Sequence, residues 1–356
     1  MALIDRFFPV PSFLDVPFLG IDISDHSLRY MVLKKTGEEW EVELSGNKRI
    51  PDGIITKGII SQKEQLAAIL GEVRRESKIS FARVSLPEEQ AYIFELVIPR
   101  LGLDDIRNSV ELQLEEHVPL PSVDAVFDFE IISKEKDTFL LTVTAFPRNI
   151  VEAYSEVFEK TGLIPISMEV ESQAIARAVI ERGSKKTYMV VDFGESRTGI
   201  SVVTNGRVAF TSTVDIGGGR LTEAISKHFS LSQEDAENMK REYGILQSGK
   251  GKEVFLAVLN SISALRDEIN RHYIYWHTHK DEKGMEHPKI DTIILCGGDS
   301  NLKGAAEYFE ASLHIPTQKA NVWQNINSLK SYVPPISYSN SLTYATALGL
   351  CATSYD

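Results

Sequence analysis

Cysteine is nearly missing from this chain. Cys296 and Cys351 are the two thiols in 356 residues, too few for a disulfide framework, and the scarcity fits a reducing compartment. No apolar run approaches the roughly 20 residues a membrane-spanning helix needs. Residues 1–20 lack both a basic cluster and a continuous apolar stretch, so they do not read as a secretory signal. Low-complexity tracts and repeats of short fixed period are also absent. Nor is there an excess of positive charge: 38 Lys and Arg stand against 50 Asp and Glu, a formal net charge of -12. That balance makes nucleic acid a poor partner. The remaining composition, 43% hydrophobic and 25% charged, is that of an ordinary globular protein. Its length suffices for two lobes or a few subdomains around a substantial core.

The first 17 residues are greasy for a tail: Ile4, Phe7, Phe8, Val10, Phe13, Leu14 and Val16 are interrupted by three prolines. Proline forbids one long helix there, though residues 2–8 can form a turn or two. The segment reads as a surface anchor or as a strip tucked onto its own domain. The second reading is preferred, because the lone Arg6 attracts anionic lipid weakly.

The most informative stretch is 188–213, YMVVDFGESRTGISVVTNGRVAFTST. It reads strand, acidic glycine turn, strand, Asn-Gly turn, strand, and Asn205-Gly206 is a strong hairpin signal. Asp192, Gly194, Ser196 and Thr198 in the first turn can offer amides and hydroxyls to phosphate oxygens, with a carboxylate near a magnesium shell. An ordinary hairpin with polar turn residues is equally compatible with that stretch alone.

Upstream, residues 18–33 read as two strands around the turn Ser24-Asp25-His26, with a third strand at 40–44. A helix is predicted over 62–75 from Leu66, Ile69, Leu70 and Val73, then a strand at 83–86. Residues 92–98 form a strand closed by Pro99. A helix at 104–117 carries Ile106, Val110, Leu112 and Leu114 on its apolar side. Strands at 126–132 and 139–146 follow, then a second helix at 149–160 ended by Gly162. This strand-helix-strand-strand unit reads as a compact insert, and 164–170 as a return strand. Downstream, Gly217-Gly218-Gly219 precede a helix at 221–229, whose free N–H groups and dipole would favour an anion. Ser232 caps a helix over 233–241. Phe255, Val258, Leu259, Ile262, Leu265, Ile269, Tyr273 and Trp276 mark one long amphipathic helix. His272, His277 and His279 lie at its end, where a zinc site would require closer facing and a fourth ligand. A strand at 289–295 runs into Cys296-Gly297-Gly298-Asp299 and a helix over 302–312. A closing helix is predicted at 341–350.

Three separated strand-turn elements thus carry related chemistry: GIDIS at 20–24, VDFGESRTG at 191–199 and ILCGGDS at 294–300. Together they imply a pseudo-duplicated, two-lobed protein that grips a nucleotide between its lobes. They resemble the first phosphate hairpin, second phosphate hairpin and adenosine motif of the actin-like ATPase superfamily. Within it, the chain is most similar to the type IV pilus assembly protein PilM family. That likeness rests on GLDDIRNSVELQLEEHVPLPSVDAVFDFEII at 102–132, EAYSEVFEKTGLIPISMEVESQAIARAV at 152–179, IGGGRLTEAI at 216–225 and SQEDAENMKREYG at 232–244. It runs from Phe18 to Ala352.

The resemblance implies an α/β, actin-like (ribonuclease H-like) two-lobed ATPase fold with a strand-helix-strand-strand insert subdomain. The expected division is an apolar segment at 1–17, a first lobe at 18–86 and 164–186, the insert at 87–163, a second lobe at 187–335, and a closing helix at 336–356 on the first lobe. It further implies ATP and Mg2+ as ligands. Asp22 and Asp192 would face the magnesium. The backbone of Ser24, Asp25 and His26 would touch phosphates, with Asp192, Gly194, Ser196 and Thr198 as the opposing grip. Gly217 and Gly218 would lie beside ribose and phosphates, Glu237 and Lys240 would flank ribose and base, and Gly297 and Gly298 would receive the adenosine. Glu169 or Glu171 would orient a water, Glu171 being the catalytic candidate. Two departures from the family pattern, Ser24-Asp25 in the first turn and Asp299 in the third, weigh against fast turnover more than against binding.

By resemblance the function is that of a cytoplasmic ATP-binding adaptor, peripheral at the inner membrane, that grips the N-terminal peptide of a PilN-like membrane protein. An FtsA-like cell-division protein is an alternative, disfavoured because no amphipathic C-terminal helix follows the closing helix. A small-molecule kinase is the other, disfavoured because the insert occupies the region between the hairpins.

Overall fold

A computed structural model describes residues 16–36, 39–282, 284–326 and 332–352. The expectation for residues 2–8, most of the apolar N-terminal segment, and the final four residues lie outside them.

Two five-stranded sheets repeat one plan. In the first, β1 (Phe18–Ile23) and β2 (Ser27–Thr36) make an antiparallel hairpin extended by β3 (Glu39–Arg49). After the short pair β4 (Ile55–Thr56) and β5 (Ile59–Ile60), helix α1 (Lys63–Ser77) crosses back. It leads into β6 (Phe81–Leu86), which lies parallel to β1. The crossing is driven by Leu66, Leu70 and Val73, spaced to bury one helix face.

The chain then leaves the lobe. β7 (Tyr92–Pro99), α2 (Leu103–His117), β8 (Ala125–Lys134) and β9 (Thr138–Pro147) form a separate sheet, order β7-β9-β8, with its own core of Leu96, Ile106, Val110, Leu114, Leu141 and Val143. Leu112 does not join it and is 84% exposed. Ile106, Val110 and Leu114 follow a four-residue spacing, and 112 falls on the opposite side of the helix. Helix α3 (Arg148–Thr161) packs on α1 instead of the insert. Its Ile150, Tyr154, Val157 and Phe158 lie in the first-lobe core. With α2 already in the insert core, that stripe is buried by returning to the first lobe. β10 (Ile164–Val170) completes the order β10-β6-β1-β2-β3, and α4 (Glu171–Val179), unassigned from sequence, follows directly.

The second lobe begins with β11 (Thr187–Phe193), β12 (Thr198–Thr204) and β13 (Arg207–Val214). Asn205 and Gly206, at φ 52° and 78°, make the tight turn between the last two. Helices α5 (Gly218–Phe229), α6 (Gln233–Tyr243) and α7 (Gly251–Thr278) cover this sheet. β14 (Thr292–Cys296) lies parallel to β11, as β6 does to β1, and β15 (Thr317–Lys319) closes the order β13-β12-β11-β14-β15. Helix α8 (Ala305–Leu313) starts three residues later than predicted, after Gly304 at φ 83°, a value no helix interior accepts.

The predicted closing helix is two pieces, α9 (Tyr338–Ser341) and α10 (Ala345–Cys351), joined by a single tight turn. A third apolar cluster draws Met31, Ile175, Val190, Ile294, Trp323 and Leu348 from both lobes. The lobes therefore share a buried core as well as flanking a cleft. Its tightest joint is α10 against α4, where a Cβ on Gly349 would lie 1.8 Å from the Ala174 carbonyl oxygen. Gly349→Ala is expected to destabilise by about 3 kcal/mol or more. Gly71→Ala, inside α1 with no atom nearer than 3.6 Å to the added Cβ, is expected to stabilise by about 0.5–1 kcal/mol. Urea unfolding of both variants checks the pair.

Candidate functional site

Asp22 is the penultimate residue of β1, just before the turn to β2. Buried at 6% exposure, the Asp22 carboxylate accepts from Ser85 Oγ at 3.0 Å and lies 3.8 Å from Arg29 Nη1. Burial raises its pKa, while Arg29 and Ser85 pull it down. Strand β11 delivers Asp192 in the same way, opposite Gly199 of β12. Asp192 is pushed up to about 6, first by burial and then by the Asp22 charge. Both carboxylates line one cavity of about 690 Å³, a size ordinary for a cofactor-sized ligand.

Ser24, His26, Glu171, Gly194, Ser196, Glu237, Lys240, Gly297 and Gly298 line it with them. Asp25, Glu169, Thr198, Gly217 and Gly218 do not. Asp25 turns its carboxylate away, accepting from the amides of Lys57 (3.0 Å) and Gly58 (3.1 Å) and pairing with Arg197 at 3.3 Å. The Asp25 charge is therefore not presented to the cavity. Thr198 is fully buried and donates to the Ile216 carbonyl at 2.6 Å, bracing the hairpin. Gly217 and Gly218 serve close approach. A Cβ on Gly217 would lie 2.2 Å from the Glu195 carbonyl oxygen, and one on Gly218 would fall within the Asp299 carboxylate.

The N-terminus of α5 is also not free. The amides of Gly218 and Gly219 donate to the carbonyls of Gly194 (2.9 Å) and Glu195 (2.8 Å), stitching the helix to the second turn. Gly297, at φ 84°, must be glycine on two counts, since a Cβ there would lie 2.4 Å from Asp192 Oδ1. Lys240 is 2% exposed and fully engaged: its Nζ reaches Asp299 (2.6 Å), Glu237 (2.8 Å) and the Gly218 carbonyl (3.1 Å). Asp299 thus has its counterion inside the fold, although burial still raises its pKa. Burial works against the Glu237 charge too, but hydrogen bonds from Lys240 and Thr222 win and hold it down at about 2.

Between the water-orienting candidates the geometry separates clearly. Glu169 is paired with Arg177 at 2.6 Å and lies off the cavity. Glu171, the first residue of α4, lines the cavity 3.3 Å from Arg197 Nη2, and burial raises its pKa well above the usual carboxylate range.

Sequence reasoning missed Arg29, Arg197, Glu88 and Glu89. Arg197 sits inside the second turn, between Ser196 and Thr198. The Glu88-Glu89 pair lies in the short turn between β6 and β7. Arg197 reaches Glu89 (2.8 Å), Asp25 (3.3 Å) and Glu171 (3.3 Å). Burial opposes its charge, yet these carboxylates hold its pKa above normal. Glu88 is pushed up to about 8 by burial, with Asp192 and Glu89 adding to the rise.

Among the described residues no group of three or more His, Cys, Asp or Glu forms a metal cage. His277, one of the zinc candidates, instead places Nδ1 2.8 Å from the Tyr273 carbonyl oxygen. Two facing carboxylates suit magnesium that arrives with a polyphosphate and keeps much of its water. The Glu88 Oε1 atom is buried without a hydrogen-bond partner among the described residues. The folded chain holds the Glu88 proton more tightly than the unfolded chain, whose glutamate titrates near 4.5. Its stabilising contribution is whole below that pH and is lost as pH rises towards 8. Glu88→Gln is therefore expected to raise the melting temperature at pH 8, by stability on the order of a few kcal/mol, with the gain vanishing near pH 5. Thermal melts of both proteins across that range check the sign.

With the geometry in view, comparisons with known proteins place the chain. The PilM–PilN type IV pilus biogenesis complex contains a chain of similar fold, with TM-score 0.77 and 21% identity over 94% of this chain and 98% of that one. MreB 5 of Spiroplasma citri bound to AMPPNP gives TM-score 0.56 at 12% identity, over 94% of each chain. Cell division protein FtsA of Streptococcus pneumoniae serotype 2 (strain D39) is 22% identical over 93% of this chain and 83% of its own length. These neighbours share an actin-like fold. The profile of the family described as type IV pilus assembly protein PilM matches residues 20–355, and the chain belongs to that family.

Proposed function

We propose that this protein is an ATP-binding adaptor of the type IV pilus inner-membrane assembly machinery, which holds the N-terminal cytoplasmic peptide of a PilN-like partner. The carrying observation is that the acid-bearing turns of both lobes, ending β1 and β11, line one cavity in a chain of the PilM family. The pairing of PilM with PilN in a structural relative supports the partner. Nucleotide analogue in MreB 5 supports the ligand.

In this reading Asp22 and Asp192 face the magnesium, whose role when bound is to neutralise charge between the phosphates. Ser24 and His26 on one side, and Gly194 and Ser196 on the other, meet the phosphate oxygens. Gly297 and Gly298 leave bare backbone for the nucleoside. Glu237, kept ionised at neutral pH, accepts from the ribose. Lys240 acts behind it, holding Glu237 and Asp299 in place. Glu171 is the group able to hold a water, but its carboxylate is engaged by Arg197, which fits slow or absent hydrolysis. No helix among the described residues is long and apolar enough to cross a membrane, so membrane association is assigned to the partner.

Calorimetry tests the ligand. Mg-ATP should bind, and Asp192→Asn should weaken it by about tenfold or more, as expected for losing a charge-assisted contact. No uptake by the wild type would reject the nucleotide reading. Because Asp192 titrates at about 6 and magnesium prefers its ionised form, affinity should rise as pH goes from 5 to 7. Proton release on binding should be confined to the acid side of that window. Separately, a PilN-like peptide titrated with and without Mg-ATP tests the adaptor role, and no binding in either condition would reject it.

A further inference from the structure

The acidic cluster around Arg197 has a topology that the ligand reading does not use. Arg197 belongs to the turn between β11 and β12, in the second lobe. Its three carboxylates come from elsewhere: Asp25 from the first-lobe turn, Glu171 from the head of α4, and Glu89 from the 88–90 turn through which the chain enters the insert. That entry turn and β7 pack against β13, the edge strand of the second lobe. Arg207 of β13 adds an exposed pair with Glu130 of the insert at 3.1 Å.

Arg197 lines the cavity, whereas Glu89 and Asp25 do not. Its guanidinium thus has the ligand space on one side and the insert's root on the other. The two sides are held differently. Nη2 donates to Glu171, while Nη1, nearest Glu89, makes no hydrogen bond among the described residues. Its attachment to Glu89 is charge without directional bonding. A planar guanidinium suits bidentate contact with phosphate, and a polyphosphate entering the cleft would compete for it with more charge than one carboxylate offers.

We propose that Arg197 is a positioning residue that ties the root of the insert to the second lobe when the cleft is empty and yields Glu89 when a polyphosphate takes the guanidinium. Only the second half rests on the nucleotide-binding reading. The insert then gains freedom against β13 when the cleft fills, without any contact between ligand and insert.

Hydrogen exchange on the full chain tests both halves, with calorimetry alongside. Without nucleotide, Glu89→Gln should speed exchange of amides 88–99 by about tenfold, the size of a contact coupling energy, and Arg197→Lys should stay near the wild type where Arg197→Met does not. Glu89→Gln should bind Mg-ATP up to about tenfold more tightly than wild type, since the ligand no longer competes with the Glu89 carboxylate for the guanidinium. Mg-ATP should speed exchange of 88–99 in the wild type and add nothing in Glu89→Gln. Unchanged exchange in nucleotide-free Glu89→Gln overturns the tie. A full nucleotide response in that variant overturns the release. A wild type that takes up no Mg-ATP sinks the release together with the nucleotide reading, and the nucleotide-free arm still decides the tie.

Discussion

Burial of like charge is the constraint under which this cleft exists. Asp22, Glu88, Glu89, Glu171 and Asp192 are gathered from both lobes, with Arg29 and Arg197 as the nearby cations. Removing an ion from water costs several kcal/mol even after relaxation, so such a cluster does not assemble by its own attraction. The apolar cluster shared by the lobes, from Met31 to Trp323 and Leu348, holds the two acid turns at short range. The chain answers the electrostatic stress by raising carboxylate pKa values and by placing Arg197 among three acids. A ligand that brings cations would relieve what remains.

The two turns are alike in plan and different in support. The first is held by hydrogen bonds within 24–27 and by Asp25 reaching the amides of Lys57 and Gly58. The second is stitched to the start of α5 by two backbone bonds, and three consecutive glycines permit that approach. Behind α5, the buried ammonium of Lys240 joins Glu237, Asp299 and the Gly218 carbonyl. This side of the cleft is therefore preorganised by internal ion pairs, which orient its polar groups.

The insert is the part least committed to the rest. It owns a separate sheet and core, and its polar ties to the second lobe include the Arg197–Glu89 and Arg207–Glu130 pairs. The returning helix α3, by contrast, is locked onto α1 through four buried side chains. A rigid two-lobed body with one lightly held module is a physical arrangement suited to an adaptor in the PilM family.

The strand-turn punctuation was legible in the residues themselves. Asn205-Gly206 demanded a hairpin, the alternating apolar runs marked the strands, and GIDIS, VDFGESRTG and ILCGGDS announced two acid turns and a glycine turn, because φ preferences and side-chain period act locally. Tertiary structure decided which way groups point and what they meet. Asp25 turning from the cleft, Thr198 bracing Ile216, the α5 amides spent on the second turn, Leu112 exposed and α3 joining the first lobe all depend on partners far along the chain. Arg197 carries no local signature whatever. Its role comes from three carboxylates 26, 108 and 172 residues away, and only a folded core can bring such charges within hydrogen-bonding range.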